Sequence, residues 1–195
     1  MMDLKDSKTK ENLLKAFAGE SQARNRYNIA AAQAKKDGLF VIQSVFDYTA
    51  NQEKEHAEVF YNQLKAFSKE NIHIDGTYPI DNYNSTLELL KSANHNELQE
   101  FNVEYKTFSD VANQEGFTVI SKIFSDIASI EKIHADRFNK YAKELEEGSS
   151  FKKDQDVQWF CTNCGFIYEG KEAPKSCPVC EHPQGYFMVY NSILY

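Results

Sequence analysis

The chain has 195 residues, 42% of them hydrophobic and 26% charged, with a formal net charge of −7. That length allows one sizeable core plus a small appendage, and the acidic balance, with no basic run, excludes an electrostatic footprint for nucleic acid. No stretch approaches membrane-spanning length and the N-terminal MMDLKDSKTKENLL holds no apolar signal core, so the expectation is a cytoplasmic protein with no membrane partner.

Up to about Glu147 the chain is rich in Ala, Leu, Ile, Phe, Lys and Glu and holds one proline, Pro79, a composition that predicts helix. Apolar periodicity picks out four segments, at roughly 9–37, 39–69, 85–115 and 117–146. Gly38 and Gly116 stand at the ends of the first and third, as helix-terminating caps. Helices of ~28–30 residues are ~42–45 Å long, the size of a four-helix bundle. The short breaks at the glycines suit antiparallel hairpins, while NIHIDGTYPIDNYN reads as a long connection between the second and third helices. Two hairpins joined by a crossover is the ferritin-like arrangement, so the expected class is an all-α, ferritin-like four-helix bundle.

In the first helix the stripe Leu13, Phe17, Glu20, Arg24, Tyr27, Ala31 puts Glu20 at an inward position. In the second, Ile42, Phe46, Thr49, Glu53, His56, Phe60 and Phe67 trace the inward face. In the third, Leu87, Leu90, Asn94, Glu97, Phe101, Glu104 and Phe108 do so, with Glu100 one short turn beyond Glu97; Glu104 rivals it, and phase alone leaves both open. In the fourth the stripe is Ile120, Phe124, Ile127, Glu131, His134, Phe138, Tyr141, Leu145.

The second and fourth helices are one motif used twice. GLFVIQSVFDYTANQEKEHAEVF (38–60) and GFTVISKIFSDIASIEKIHADRF (116–138) align without gaps, pairing Glu53 with Glu131 and His56 with His134. A single inward E-x-x-H is most simply a buried Glu–His hydrogen bond. Two in register, flanked by matching apolar residues, are the way facing helices of a bundle bind two metals. Ionised carboxylates are too costly to bury uncompensated, and metal cations supply the compensation. The candidate set is Glu20, Glu53, His56, Glu97, Glu100, Glu131 and His134, a donor mix that suits iron first and manganese second. Tyr27 and Tyr105 are candidates to hydrogen-bond ligand carboxylates, or else are ordinary buried tyrosines. His73, His95 and His182 read as surface or loop residues.

Glu20 lies seven residues before Tyr27, but Glu97 lies eight before Tyr105. If these are corresponding pairs, the third helix carries one extra residue, which a helix absorbs as a π-type turn. Such a turn is predicted between Glu97 and Tyr105.

Residues 1–147 are thus expected as the bundle, 148–157 as a linker and 158–195 as a small metal-stapled unit. In that unit CTNCG and CPVC supply Cys161, Cys164, Cys177 and Cys180, two thiolate knuckles separated by 12 residues. A tetrahedral four-thiolate site follows, for which zinc and iron both qualify. Trp159, Tyr168, Phe187 and Phe166 are candidates for an aromatic cover.

The two E-x-x-H helices, AGESQARNRY around Glu20 and Tyr27, NELQEFNVEY around Glu97, Glu100 and Tyr105, and the terminal CTNCG…CPVC together make nearly the whole chain resemble the rubrerythrin family. The resemblance implies a non-haem di-iron site joined to a rubredoxin-like FeS4 centre, with zinc possible as a substitute. It implies a peroxidase that reduces hydrogen peroxide to water in protection against oxidative stress, fed with electrons originating in NADH through donor proteins such as rubredoxin or an NADH-dependent reductase. It puts Glu53 and Glu131 on the bridging positions, and Glu100 on the seventh ligand, which exchanges with His56 on reduction. Asn96 stands where the family frequently has glycine. The resemblance also implies a head-to-tail homodimer, which would carry each FeS4 unit near its partner's di-iron site. The rival functions are a ferroxidase or iron-storage protein using dioxygen, and a zinc-ribbon binding module on a helical scaffold, which leaves both E-x-x-H motifs unexplained.

Overall fold

A computed structural model describes residues 2–190. Five helices build the bundle: α1 (Lys8–Lys36), α2 (Phe40–Gln63), α3 (Thr86–Gln99), α4 (Tyr105–Gln114) and α5 (Thr118–Glu146). The last two residues of the expected second helix group, Ser68 and Lys69, lie outside any helix. α2 ends at Gln63, a 3-10 turn follows at Lys65–Phe67, and Lys69 takes a left-handed φ of 80° that helix cannot continue through.

The π turn falls where the one-residue excess predicts it. Residues Glu100–Glu104 are π-helical, and the Tyr105 N–H reaches back five residues to the Glu100 carbonyl. α3, this turn and α4 act as one long helix with a local loop-out.

Both hairpins close in the same way. Gly38 and Gly116 adopt φ of 74° and 90°, and Leu39 N–H donates to Ala34 O at 2.9 Å as Phe117 N–H donates to Ala112 O at 2.8 Å. This is the six-to-one bond of a Schellman cap, which needs a left-handed residue and so a glycine. The hairpins then cap each other. The carboxylate of Asp37, ending the first, accepts from Thr86 N–H at 3.2 Å and Thr86 Oγ1 at 2.6 Å at the start of α3. The carboxylate of Glu115, ending the second, accepts from Thr9 N–H at 2.9 Å and Thr9 Oγ1 at 2.5 Å at the start of α1. Each acid thus satisfies an orphan donor at a helix N-terminus, and the bundle has an approximate two-fold axis across its waist. The connection 64–85 runs the bundle's length, anchored by Asp81, which accepts from Arg26 and from Asn96 Nδ2 at 2.7 Å.

The core lies in two apolar clusters above and below the waist. One gathers Tyr27, Ile42, Val45, Phe46, Leu90 and Phe138; the other gathers Leu13, Phe60, Tyr105, Ile120, Phe124 and Ile127. The inward stripe of the first helix fails at Arg24, which is exposed while Ala23 takes the buried place, because the long cationic chain is cheaper in water and the residue beside it is small.

The C-terminal unit is a three-stranded antiparallel sheet of order β2-β1-β3, from β1 (Lys152–Cys161), β2 (Ile167–Glu172) and β3 (Phe187–Val189). Strand thus occupies Lys152 onward in the segment expected as a linker; its first residues, KKDQD, lack the apolar alternation that marks a strand. Residues 191–195 of the expected unit lie outside the described residues. The sheet sits on the hairpin end of the bundle. Tyr186 stacks on Phe40 at 4.2 Å, Met188 is buried within the upper core cluster, and Gly185 runs against the Gly38 carbonyl so closely that a Cβ there would lie 1.7 Å from it.

Candidate metal centres

Between the two apolar clusters, at the waist, the structure brings Glu20, Glu53, His56, Glu97, Glu131 and His134 together, all buried. They form two overlapping groups. Glu20, Glu53, His56 and Glu131 surround one point, and Glu53, Glu97, Glu131 and His134 the other. His56 Nδ1 stands 3.1 Å from Glu53 Oε2, 3.0 Å from Glu131 Oε1 and 3.9 Å from Glu20 Oε2. His134 Nδ1 stands 2.9 Å from Glu53 Oε1, 2.9 Å from Glu131 Oε2 and 3.8 Å from Glu97 Oε2. Each central glutamate thus turns one oxygen to each histidine, while Glu20 and Glu97 each serve one half. The imidazoles lie 5.6 Å apart between centroids and nearly parallel.

The outer glutamates are held from behind. Tyr105 OH donates to Glu20 Oε1 and Tyr27 OH to Glu97 Oε1, each crossing to the other hairpin. Glu100, at the first π residue, is half-buried beside the cage but outside both groups. Glu104 is exposed. The π turn rotates it outward, which helical phase could not reveal. His73 and His95 are exposed, and His182 lies in a loop.

A cation fits this cage better than its own hydrogen bonds do. Glu20 Oε2, Glu53 Oε1, Glu97 Oε2, both Glu131 oxygens and His134 Nδ1 are buried without a hydrogen-bond partner, although several lie within 3 Å of each other. The distances are short and the angles wrong, as for lone pairs aimed at shared points rather than at one another. Two like charges ~4 Å apart repel by ~4 kcal/mol even at an effective dielectric of ~20. Without ions, protons must take up the load. Burial, then the charges of Glu131 and Glu53, raises Glu20 well above the usual carboxylate range, and burial, then Glu53, pushes Glu97 up to about 8. Burial opposes the cation at His56, but Glu131 and Glu53 outweigh it and raise it to about 9. Burial alone would raise Glu53; the imidazoles hold it below its ordinary value instead. Glu100 is raised by burial and by Glu97, Glu131 and Glu53.

In the C-terminal unit the four sulfurs lie within 4.8 Å of one another, with Cys161–Cys180 at 3.8 Å and Cys164–Cys177 at 3.6 Å. None is in a disulfide. The His182 backbone N–H holds the Cys180 thiol down to about 6; the Phe166 N–H points likewise at Cys164, but burial and the neighbouring cysteines outweigh it and push that thiol up to about 12 in the ion-free unit. Amides aimed at sulfur stabilise thiolates, the form that binds metal. Trp159 and Phe187 are fully buried in this core and Phe166 packs on it. Tyr168 is not part of the cover: it is 40% exposed, its ring lying over Gly170.

Two residues at the waist have no place in the repeat. His134 Nε2 is 3.1 Å from Gln52 Oε1, which also accepts from Arg137 NH1 at 2.9 Å. Their counterparts 78 positions away are Ile130 and Val59, so a polar residue beside one histidine and an apolar one beside the other was the only signal.

A ferritin-like bundle with a two-centre carboxylate–histidine cage, carrying a rubredoxin-like four-cysteine unit, defines a class of non-haem iron protein. The rubrerythrin family model matches residues 11–85 and 88–163, and that of the rubrerythrin rubredoxin-like domain matches 159–188. The chain is 48% identical over 191 residues to a rubrerythrin of Clostridium perfringens, covering 97% of this chain and 98% of that one. It is 41% identical over 187 residues to a rubrerythrin of Nitratidesulfovibrio vulgaris, covering 96% of each. Among solved structures, fully reduced, all-ferrous nigerythrin is similar with a TM-score of 0.63 at 28% identity, over 95% of this chain and 90% of that one. The chain belongs to the rubrerythrin family of di-iron proteins.

Proposed function

We propose that the chain is a cytoplasmic peroxidase that reduces hydrogen peroxide to water in protection against oxidative stress. The observation that carries this is the cage itself, in which Glu53 and Glu131 each face both histidines, joined in one chain to four convergent thiols. In this reading Glu20, Glu53, His56, Glu97, Glu100, Glu131 and His134 hold the iron pair, and Cys161, Cys164, Cys177 and Cys180 hold the single iron. When bound, the pair supplies together the two electrons that cleave the O–O bond, and the thiolate iron returns electrons one at a time. The overall change takes one peroxide, two electrons and two protons to two waters.

The chain's residues set the conditions. Tyr105 and Tyr27 occupy Oε1 of Glu20 and Glu97, leaving Oε2 of each to face the cage. Glu100 stands beside the cage, outside both groups of four, where it would complete the ligand set of the pair. The apolar clusters on either side keep bulk water out. The electrons come from donor proteins, with rubredoxin or an NADH-dependent reductase as the class.

The docked sheet meets the bundle at Phe40, and Glu53 lies 13 residues farther along α2, ~20 Å at 1.5 Å per residue. A head-to-tail homodimer, bringing a second copy's thiolate unit to the cage, shortens that path. The test of function is anaerobic reduction of the iron-loaded protein followed by stopped-flow mixing with peroxide or dioxygen. Faster reoxidation by peroxide is expected; equal rates, or dioxygen faster, would overturn the peroxidase reading in favour of a ferroxidase.

A further inference from the structure

The approximate two-fold symmetry of the cage breaks in the surroundings of its two histidines. We infer that Gln52 and Arg137 are positioning residues that fix the proton of His134 on Nε2 and so present Nδ1 bare to the ions, while His56 has no such clamp.

The reasoning starts from a residue that can only donate. The Arg137 guanidinium has no acceptor. Its NH1 donates to Thr49 Oγ1 at 2.8 Å and to Gln52 at 2.9 Å, so the Gln52 atom facing it is the carbonyl oxygen. Thr49 spends its own hydroxyl proton on the Val45 carbonyl at 3.0 Å, which leaves its oxygen free to accept from Arg137. The same Gln52 oxygen lies 3.1 Å from His134 Nε2. An oxygen cannot donate, so Nε2 must carry a hydrogen, and Nδ1 is the nitrogen that can offer its lone pair to an ion. That is the atom turned to Glu53 and Glu131 and left without a hydrogen bond. Arg137 lies in turn over the Tyr48 ring, 5.3 Å from its centroid. Side chains behind a ligating imidazole set its tautomer and orientation.

The other half is built differently. Under the repeat, Gln52, Thr49 and Arg137 correspond to Ile130, Ile127 and Val59, none of which can accept or donate. Among the described residues no hydrogen bond reaches His56 Nε2, and the His56 side chain is 9% exposed against 0% for His134. One imidazole is held on both nitrogens; the other is held only from the cage side, through Nδ1.

The inference rests on reading the cage as a two-ion site, and cobalt separates the two. The full-length protein, with its thiolate site read apart through sulfur-to-metal bands, is titrated with Co(II) under nitrogen. Wild type is expected to take two ions at the cage and to show two paramagnetically shifted imidazole N–H signals, one exchanging slowly with solvent and one fast. In Gln52→Leu both exchange fast and the affinity of one cage ion falls ~10–100-fold. Gln52→Glu, which keeps the acceptor, retains the slow signal. Should Gln52→Leu not fold, Gln52→Met carries the same expectations. Failure of wild type to bind two cage ions overturns both the site and the clamp. Two ions with an unchanged slow signal in Gln52→Leu, or equal loss in Gln52→Leu and Gln52→Glu, overturns the clamp alone.

Discussion

Gly185→Ala separates the two halves of the molecule. A methyl at this position would lie 1.7 Å from the Gly38 carbonyl oxygen and 2.9 Å from its carbon, both backbone. Neither side can turn aside, so the sheet must lift from the bundle by more than an ångström. The Phe40–Tyr186 stack, at 4.2 Å, and the burial of Met188 in the bundle core depend on that approach. A stacked aromatic pair contributes about 0.5–1.5 kcal/mol and a buried methionine about 1.5–3 kcal/mol, so docking loses about 2–4.5 kcal/mol. Calorimetry on the metal-loaded protein is the assay, with limited proteolysis at residues 148–151 alongside. The variant is expected to show two resolved transitions and faster cleavage, while its visible FeS4 spectrum stays intact. Gly38→Ala is the control: nothing lies within 4 Å of its Cβ, so it costs only left-handed strain of about 1–2 kcal/mol. A Gly185→Ala protein that melts as wild type would refute the close-approach reasoning.

Tyr105→Phe removes the donor to Glu20 Oε1, and a buried acceptor left unpaired costs about 1–3 kcal/mol; weaker Fe(II) binding in an anaerobic titration is expected, and an unchanged isotherm would show the hydroxyl to be idle. In the ion-free protein His56 is raised from 6.5 to about 9 and Glu97 from 4.5 to about 8. A raised value stabilises fully below the unfolded pKa and is lost as pH climbs through the folded one. The apo melting temperature should therefore fall from pH 4.5 to about 9, most steeply between 6.5 and 8 where both groups contribute, and iron loading, which displaces these protons, should remove that slope; a flat apo profile contradicts the assignment. Finally, a His56→Leu/His134→Leu chain mixed with a Cys177→Ser chain should recover peroxide turnover that neither has alone, since each supplies the centre the other lacks. No recovery after subunit exchange counts against head-to-tail transfer.

The two E-x-x-H helices were legible because one periodic pattern, written twice, put acids where apolar residues belong; the fourth-helix stripe from Ile120 to Tyr141 is buried throughout. The π turn was legible too, but only as arithmetic between corresponding residues. What escaped was interaction that leaves no period: Asp37 and Glu115 each bond the opposite hairpin across a long sequence separation, and Arg137 reaches Gln52 between helices. Glu104 and Arg24 were misplaced because ideal 3.6-residue phase ignores both a local loop-out and the pull of water on a long charged chain. KKDQD hid a strand, since its pairing is backbone chemistry that polar side chains do not advertise.

The reciprocal capping of Thr86 by Asp37 and of Thr9 by Glu115 bears on how such a chain comes together. Either hairpin alone would lose the acid that caps its own first helix and would leave both ion-binding points incomplete, for the first hairpin supplies Glu20, Glu53 and His56 at one point but only Glu53 at the other. A half-length polypeptide of this design would be an obligate pair, useless as a single copy. Joining the two copies in tandem turns that bimolecular meeting into an intramolecular one. The stretch 64–85 then serves as the tether that sets the local concentration of one half about the other.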